Sequence, residues 1–79
     1  MALITSIEQS TKDRQKIHAP TRCLASSFTT DGGKAVLQLD TYGSEDRTFT
    51  EKVSQSIQFN EDSAQQLLNL IRVTFPKLA

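Results

Sequence analysis

The chain is short of nearly everything that marks an obvious chemistry. Among its 79 residues there is one cysteine, Cys23, one histidine, His18, and no excess of charge of either sign. A lone cysteine cannot close an intrachain disulfide. Two soft ligands are too few for a structural zinc site, which takes four, so no metal and no cofactor is expected. Nine basic residues balance nine acidic ones. Such a chain lacks the long-range field that draws in nucleic acid or anionic lipid from a distance. No stretch approaches the roughly 20 apolar residues of a membrane-crossing helix. The opening "MALITSIEQS" has neither the basic start nor the apolar run of a secretory signal. A cytoplasmic protein is expected.

At this length the chain forms one domain, residues 1–79, with a marginal core. With disulfides and metals set aside, oligomerisation or a larger partner is the expected source of further burial.

Catalytic groupings are equally scarce. His18 lies in a polar loop close to Pro20, and Cys23 falls on a strand five residues on. Nothing in that spacing favours a nucleophile and its base. Cys23 reads as a small buried apolar residue and His18 as a solvated one. The carboxylate pairs Glu45–Asp46 and Glu61–Asp62 sit in loop or helix-start contexts and read as solvated residues, without the desolvated pocket that acid–base work needs. "DGGK" at 31–34 lacks the longer phosphate-loop pattern and runs into a strand. No catalytic residue is expected, and the chain is not read as an enzyme.

What is present is alternation. Residues 2–9 carry β-branched side chains suited to a strand. After a polar loop at 10–20, with Lys12, Arg14, Lys16 and His18 at alternating positions, residues 21–30 form a second strand candidate. There Leu24 and Phe28 share one face and Cys23 and Ala25 the other. "DGG" marks a tight hairpin turn. In 34–42, Leu37, Leu39 and Thr41 face one way, and Val36, Gln38, Asp40 and Tyr42 the other. In 52–59, Val53, Gln55, Ile57 and Phe59 oppose Lys52, Ser54, Ser56 and Gln58. Such alternation puts one face on a core and one in water.

"NEDS" then opens a helix. Asn60 is the N-cap, with Glu61 and Asp62 in the first turn, where the helix dipole favours negative charge. Ala64, Leu67, Leu68, Ile71 and Phe75 make an apolar stripe, and Pro76 ends the helix near Thr74 or Phe75. Leu70 and Val73 widen the stripe, either as ordinary core breadth or, as a dimer would have it, at a two-fold interface. The fold expected is α+β: a four-stranded antiparallel sheet followed by a C-terminal helix packed on one face (β-β-β-β-α), in a dimer.

The spelling of this half of the chain resembles the positive-cofactor-four type of transcriptional coactivator, whose fold is related to the Whirly proteins. Lys34, Val36, Leu37, Leu39 and Tyr42 match that family's third strand, and Ser56, Ile57, Phe59, Leu67 and Ile71 its last strand and helix. "QLDTYGS" and "KVSQSIQF" are also similar to stretches in small bacterial and phage-borne proteins. The family resemblance implies a homodimer that binds single-stranded DNA. Several positions depart from it. Ser54 and Gln55 stand where the family has basic residues, Asp40 where it has an arginine, and Ala64 where it has the helix tryptophan.

Two functions follow as expectations. The first is a nucleic-acid-binding domain preferring single strands. In it Arg22, Lys34, Arg47 and Lys52 hold phosphates, Tyr42 stacks on a base, and Gln38, Ser54 and Ser56 give hydrogen bonds. The alternative is an accessory or protein-interaction subunit on the same fold, docking a partner through the open face or an edge strand.

Overall fold

The structure is a computed structural model and describes residues 1–11, 16–42 and 53–78. Four strands and one helix follow one another: β1 (Ala2–Ile4), β2 (Cys23–Thr29), β3 (Ala35–Tyr42), β4 (Val53–Phe59) and α1 (Glu61–Thr74). The strands form one sheet in the order β1-β4-β3-β2.

The β2–β3 hairpin is closed by its turn chemistry. The Gly33 amide donates to the Thr30 carbonyl, and the Thr30 amide to the Lys34 carbonyl, each at 2.8 Å. Gly33 sits at φ 81°, a conformation open to glycine and costly for other L-residues. From this turn the strands pair in strict register, from Thr29 opposite Ala35 to Cys23 opposite Thr41. β3 and β4 pair antiparallel until an irregularity between Thr41 and Tyr42. There Ser54 is left without an opposite residue, and Tyr42 faces Val53. Alternation had grouped Val53 with Gln55, Ile57 and Phe59; the extra residue breaks that grouping at the start of β4.

The expectation of an all-antiparallel sheet is corrected by β1, which runs parallel to β4. The reason lies in the connection. Residues 5–22 carry the chain from one sheet edge to the other, so β2 starts out in the same direction as β1. A tight hairpin reverses a strand, whereas a long crossover does not. The first strand is also shorter than the 2–9 stretch that its β-branched residues suggested. After Ile4 the chain turns toward the helix, and the Ile7 amide donates to Oε1 of Gln66 at 2.7 Å.

Directly opposed residues share a face. Leu37 with Phe59 and Leu39 with Ile57 therefore line the helix side, joined from β1 by Ala2 and Ile4. Phe59 is the one buried hydrophobic residue among those described. Cys23 is exposed, against the expectation of a small buried residue. The helix packs on β3 and β4, and all of β2 lies exposed beyond it.

The helix start carries more than the single cap read from the sequence. The Ser63 amide donates to Oδ1 of Asn60 at 2.9 Å, and the Asn60 amide donates to Oγ of Ser63 at 3.1 Å. Ser63 is fully buried. Two of the orphan donors at the helix start are thereby satisfied reciprocally. At the far end, Phe75 caps the helix and its amide donates to the Ile71 carbonyl. Asn60→Ala is expected to destabilise the fold by about 1 kcal/mol, read as a lowered urea midpoint with an unchanged m-value.

Candidate nucleic-acid interface

The sheet face turned away from α1 is built from every second residue. Register places Leu24 opposite Asp40, Ser26 opposite Gln38 and Phe28 opposite Val36. It also places Gln38 opposite Gln58 and Asp40 opposite Ser56, and Leu3 beside Gln58. The face has a polar centre with apolar side chains to either side.

Four side chains in that centre bond to one another. Gln58 donates from Nε2 to Oε1 of Gln38 at 2.9 Å. Gln38 in turn donates from Nε2 to both carboxylate oxygens of Asp40, at 3.1 and 3.2 Å. Ser56 donates from Oγ to Oδ1 of Asp40 at 2.6 Å. The last is a short charge-assisted bond, and Ser56 is buried while Asp40 is half-buried. A carboxylate beneath neighbouring side chains needs such donors, because desolvation without them is costly.

At one end of the face, the guanidinium carbon of Arg22 lies 4.4 Å from the centre of the Tyr42 ring. That is cation–π geometry. Arg22 directly precedes β2 and Tyr42 ends β3, so the antiparallel register brings them together. Just beside them, Oγ1 of Thr21 donates to the Tyr42 carbonyl at 2.8 Å. This ties the entry into β2 to the end of β3.

The expected site residues divide into three groups. Arg22, Gln38, Tyr42 and Ser56 belong to this face and lie along it. Lys34 lies elsewhere, at the hairpin end about 26 Å from Tyr42 by strand rise. It lines a depression of about 560 Å³ together with Leu37, Phe59, Glu61 and Asp62. Ser54 is exposed at the irregular start of β4. Arg47 and Lys52 lie outside the described residues, as do Lys12 and Arg14 of the polar loop. Lys16 and His18 are exposed.

Two features of the face went unread in the sequence. Phe28, 45% exposed, supplies a second aromatic ring on it. Alternation already grouped it with Leu24, but only pairing shows that their side is the one opposite the helix. Asp40 as the hub of the polar network was the other. Alternation marks its face but not its partners, which come from strand register.

Among the described residues no group of three or more His, Cys, Asp or Glu is placed to hold a metal ion, and no helix is long and apolar enough to cross a membrane. Compared with known proteins, the chain matches no family model, no curated protein and no solved structure.

The network predicts a measurable cost for its shortest bond. Ser56→Ala leaves the Asp40 carboxylate without its closest donor and is expected to lower stability by about 1–2 kcal/mol, measured by urea unfolding. Asp40→Asn in the same background should recover part of that loss, since a neutral amide asks less of its surroundings.

Proposed function

We propose that the chain is a non-enzymatic, cytoplasmic nucleic-acid-binding domain that prefers single strands and works as a homodimer. The observation that carries this reading is the make-up of the open face. Two aromatic rings, Tyr42 under Arg22 and the exposed Phe28, stand at opposite ends of a hydrogen-bonding centre. Unpaired bases stack on aromatic and guanidinium planes, and their edges bond to amide, hydroxyl and carboxylate groups. The resemblance of the sequence to the positive-cofactor-four type of coactivator supports the same assignment. Phosphate contacts fall to Arg22 and, from the flanking segments, to Lys34, Arg47 and Lys52.

Asp40 shapes the expected affinity. A carboxylate amid the face opposes phosphate, and its hold on Gln38 and Ser56 takes up donors that phosphate would use. Binding is therefore modest and carried by stacking more than by charge. The homodimer supplies the burial that one copy lacks, since Phe59 alone among the described hydrophobic residues is buried.

A second reading, docking of a protein partner, is favoured by the apolar side chains on the same face. Leu3 and Leu24 are each about half exposed there. A surface of that kind also suits a partner protein's apolar side chains.

Fluorescence anisotropy of a labelled single-stranded oligonucleotide at two salt concentrations separates the readings. Saturable binding that weakens with salt is expected. Tyr42→Ala should weaken it about tenfold, in line with ~1–3 kcal/mol per stacked base, with the fold unchanged by circular dichroism. Asp40→Asn should tighten it at low salt. Absence of binding at tens of micromolar in low salt contradicts the proposal and leaves the docking reading. Light scattering should give twice the 8.8 kDa chain mass.

A further inference from the structure

Among the described residues, β2 is an edge strand with none of the usual protection. It carries seven residues, Cys23–Thr29, without a charge, a proline or an irregularity in its pairing with β3. Natural sheets guard such edges, because a row of unpaired N–H and C=O groups recruits another strand. The opposite edge is the three-residue β1, too short to recruit much.

The hairpin bonds fix which backbone groups β2 turns outward. Thr30 directs both its amide and its carbonyl into the hairpin. Antiparallel pairs alternate between bonded and non-bonded. Phe28, Ser26 and Leu24 therefore bond to β3, and Thr29, Ser27, Ala25 and Cys23 point their N–H and C=O groups away from the sheet.

We infer that this edge pairs with the same edge of a second copy, antiparallel, about a two-fold axis at Ser26. The inference rests on the homodimer proposed above and says where the copies meet. With the axis at Ser26, Ala25 faces Ser27 of the second copy and Cys23 faces Thr29. All the outward-facing groups then meet in bonded pairs, and moving the axis along the strand leaves some of them out. The same register sets Phe28 opposite Leu24 of the second copy in a non-bonded pair, where side chains approach most closely. Phe28 and Leu24 are 45% and 51% exposed in the single chain. The surface is self-complementary, as a two-fold interface requires.

The exposed area calls for a partner of this scale. The chain exposes 7264 Å², whereas a self-contained monomer of 8.8 kDa exposes about 4,800 Å². A standard interface takes ~800 Å² from each partner, within that excess. Pairing through β2 also joins the two open faces on one side of a single eight-stranded sheet, with both Arg22–Tyr42 pairs on it.

The test uses the full chain with Cys23→Ser as background. Across a non-bonded antiparallel pair the two Ser26 Cα atoms would stand about 4.5 Å apart, within disulfide reach. Ser26→Cys should give a covalent dimer on mild oxidation, seen on a non-reducing gel, and Val73→Cys on the helix flank should not. Ser27→Pro removes an outward amide that β3 does not use. It should yield a monomer by light scattering, with its circular dichroism retained. A wild-type monomer overturns both the homodimer and this interface. A wild-type dimer that Ser26→Cys does not trap and Ser27→Pro does not split overturns the edge alone, and Leu70→Glu would then locate the contact on the helix.

Discussion

One helix is too narrow for four strands, and the rest of the molecule answers to that constraint. An α-helix with its side chains is about 10–12 Å across, and neighbouring strands lie about 4.8 Å apart. α1 therefore covers roughly two strands, and it lies on β3 and β4. β1 extends the covered region by Ala2 and Ile4 on the helix side. β2 is left with both faces in water, and its helix side carries small side chains, Cys23, Ala25 and Ser27. A strand so placed gains little from its own chain beyond its bonds to β3. Its Phe28 and Leu24 are 45% and 51% exposed, and the exposed half of each contributes to stability only when something else covers it.

The same constraint divides the sheet's labour. The helix side holds the aliphatic and aromatic residues that define the fold. The opposite face holds a network whose members satisfy one another. Gln58, Gln38, Asp40 and Ser56 form a connected set in which the half-buried carboxylate has three contacts from donors. Such a network rigidifies the centre of the face and fixes the side-chain directions there. Arg22 over Tyr42 does the same at its end. The face is thus held in one arrangement, which under the proposed function would reduce the ordering cost of binding.

Much of this could be read from the residues, where the signal is local. "DGG" specifies its hairpin because glycine alone accepts the φ of Gly33 comfortably. Asn60 and Pro76 bracket the helix because capping and ring closure act within one turn. Alternation assigned Leu37, Leu39, Ile57 and Phe59 to one side. What escaped the reading is set by pairing between distant segments. The parallel direction of β1 depends on where residues 5–22 deliver the chain. The unpartnered Ser54 depends on a register mismatch that no period-two pattern carries. Ser63 reads as an ordinary helix residue, yet its hydroxyl completes the cap because it falls at the third helical position. Of the candidate site, Arg22, Tyr42, Gln38 and Ser56 share a face, Tyr42 and Gln38 by alternation within β3 and the others through strand register. Lys34 does not join them, because the hairpin holds it at the far end of β3.

The proposed edge pairing makes β2 an interior strand of the working molecule and not its edge. Residue-resolved amide hydrogen exchange on the native protein addresses this most directly. Comparable protection is expected for Leu24, Ser26 and Phe28, which bond to β3, and for Ala25 and Ser27, which would bond to a second copy. Slow exchange at the first three with rapid exchange at Ala25 and Ser27 would contradict it.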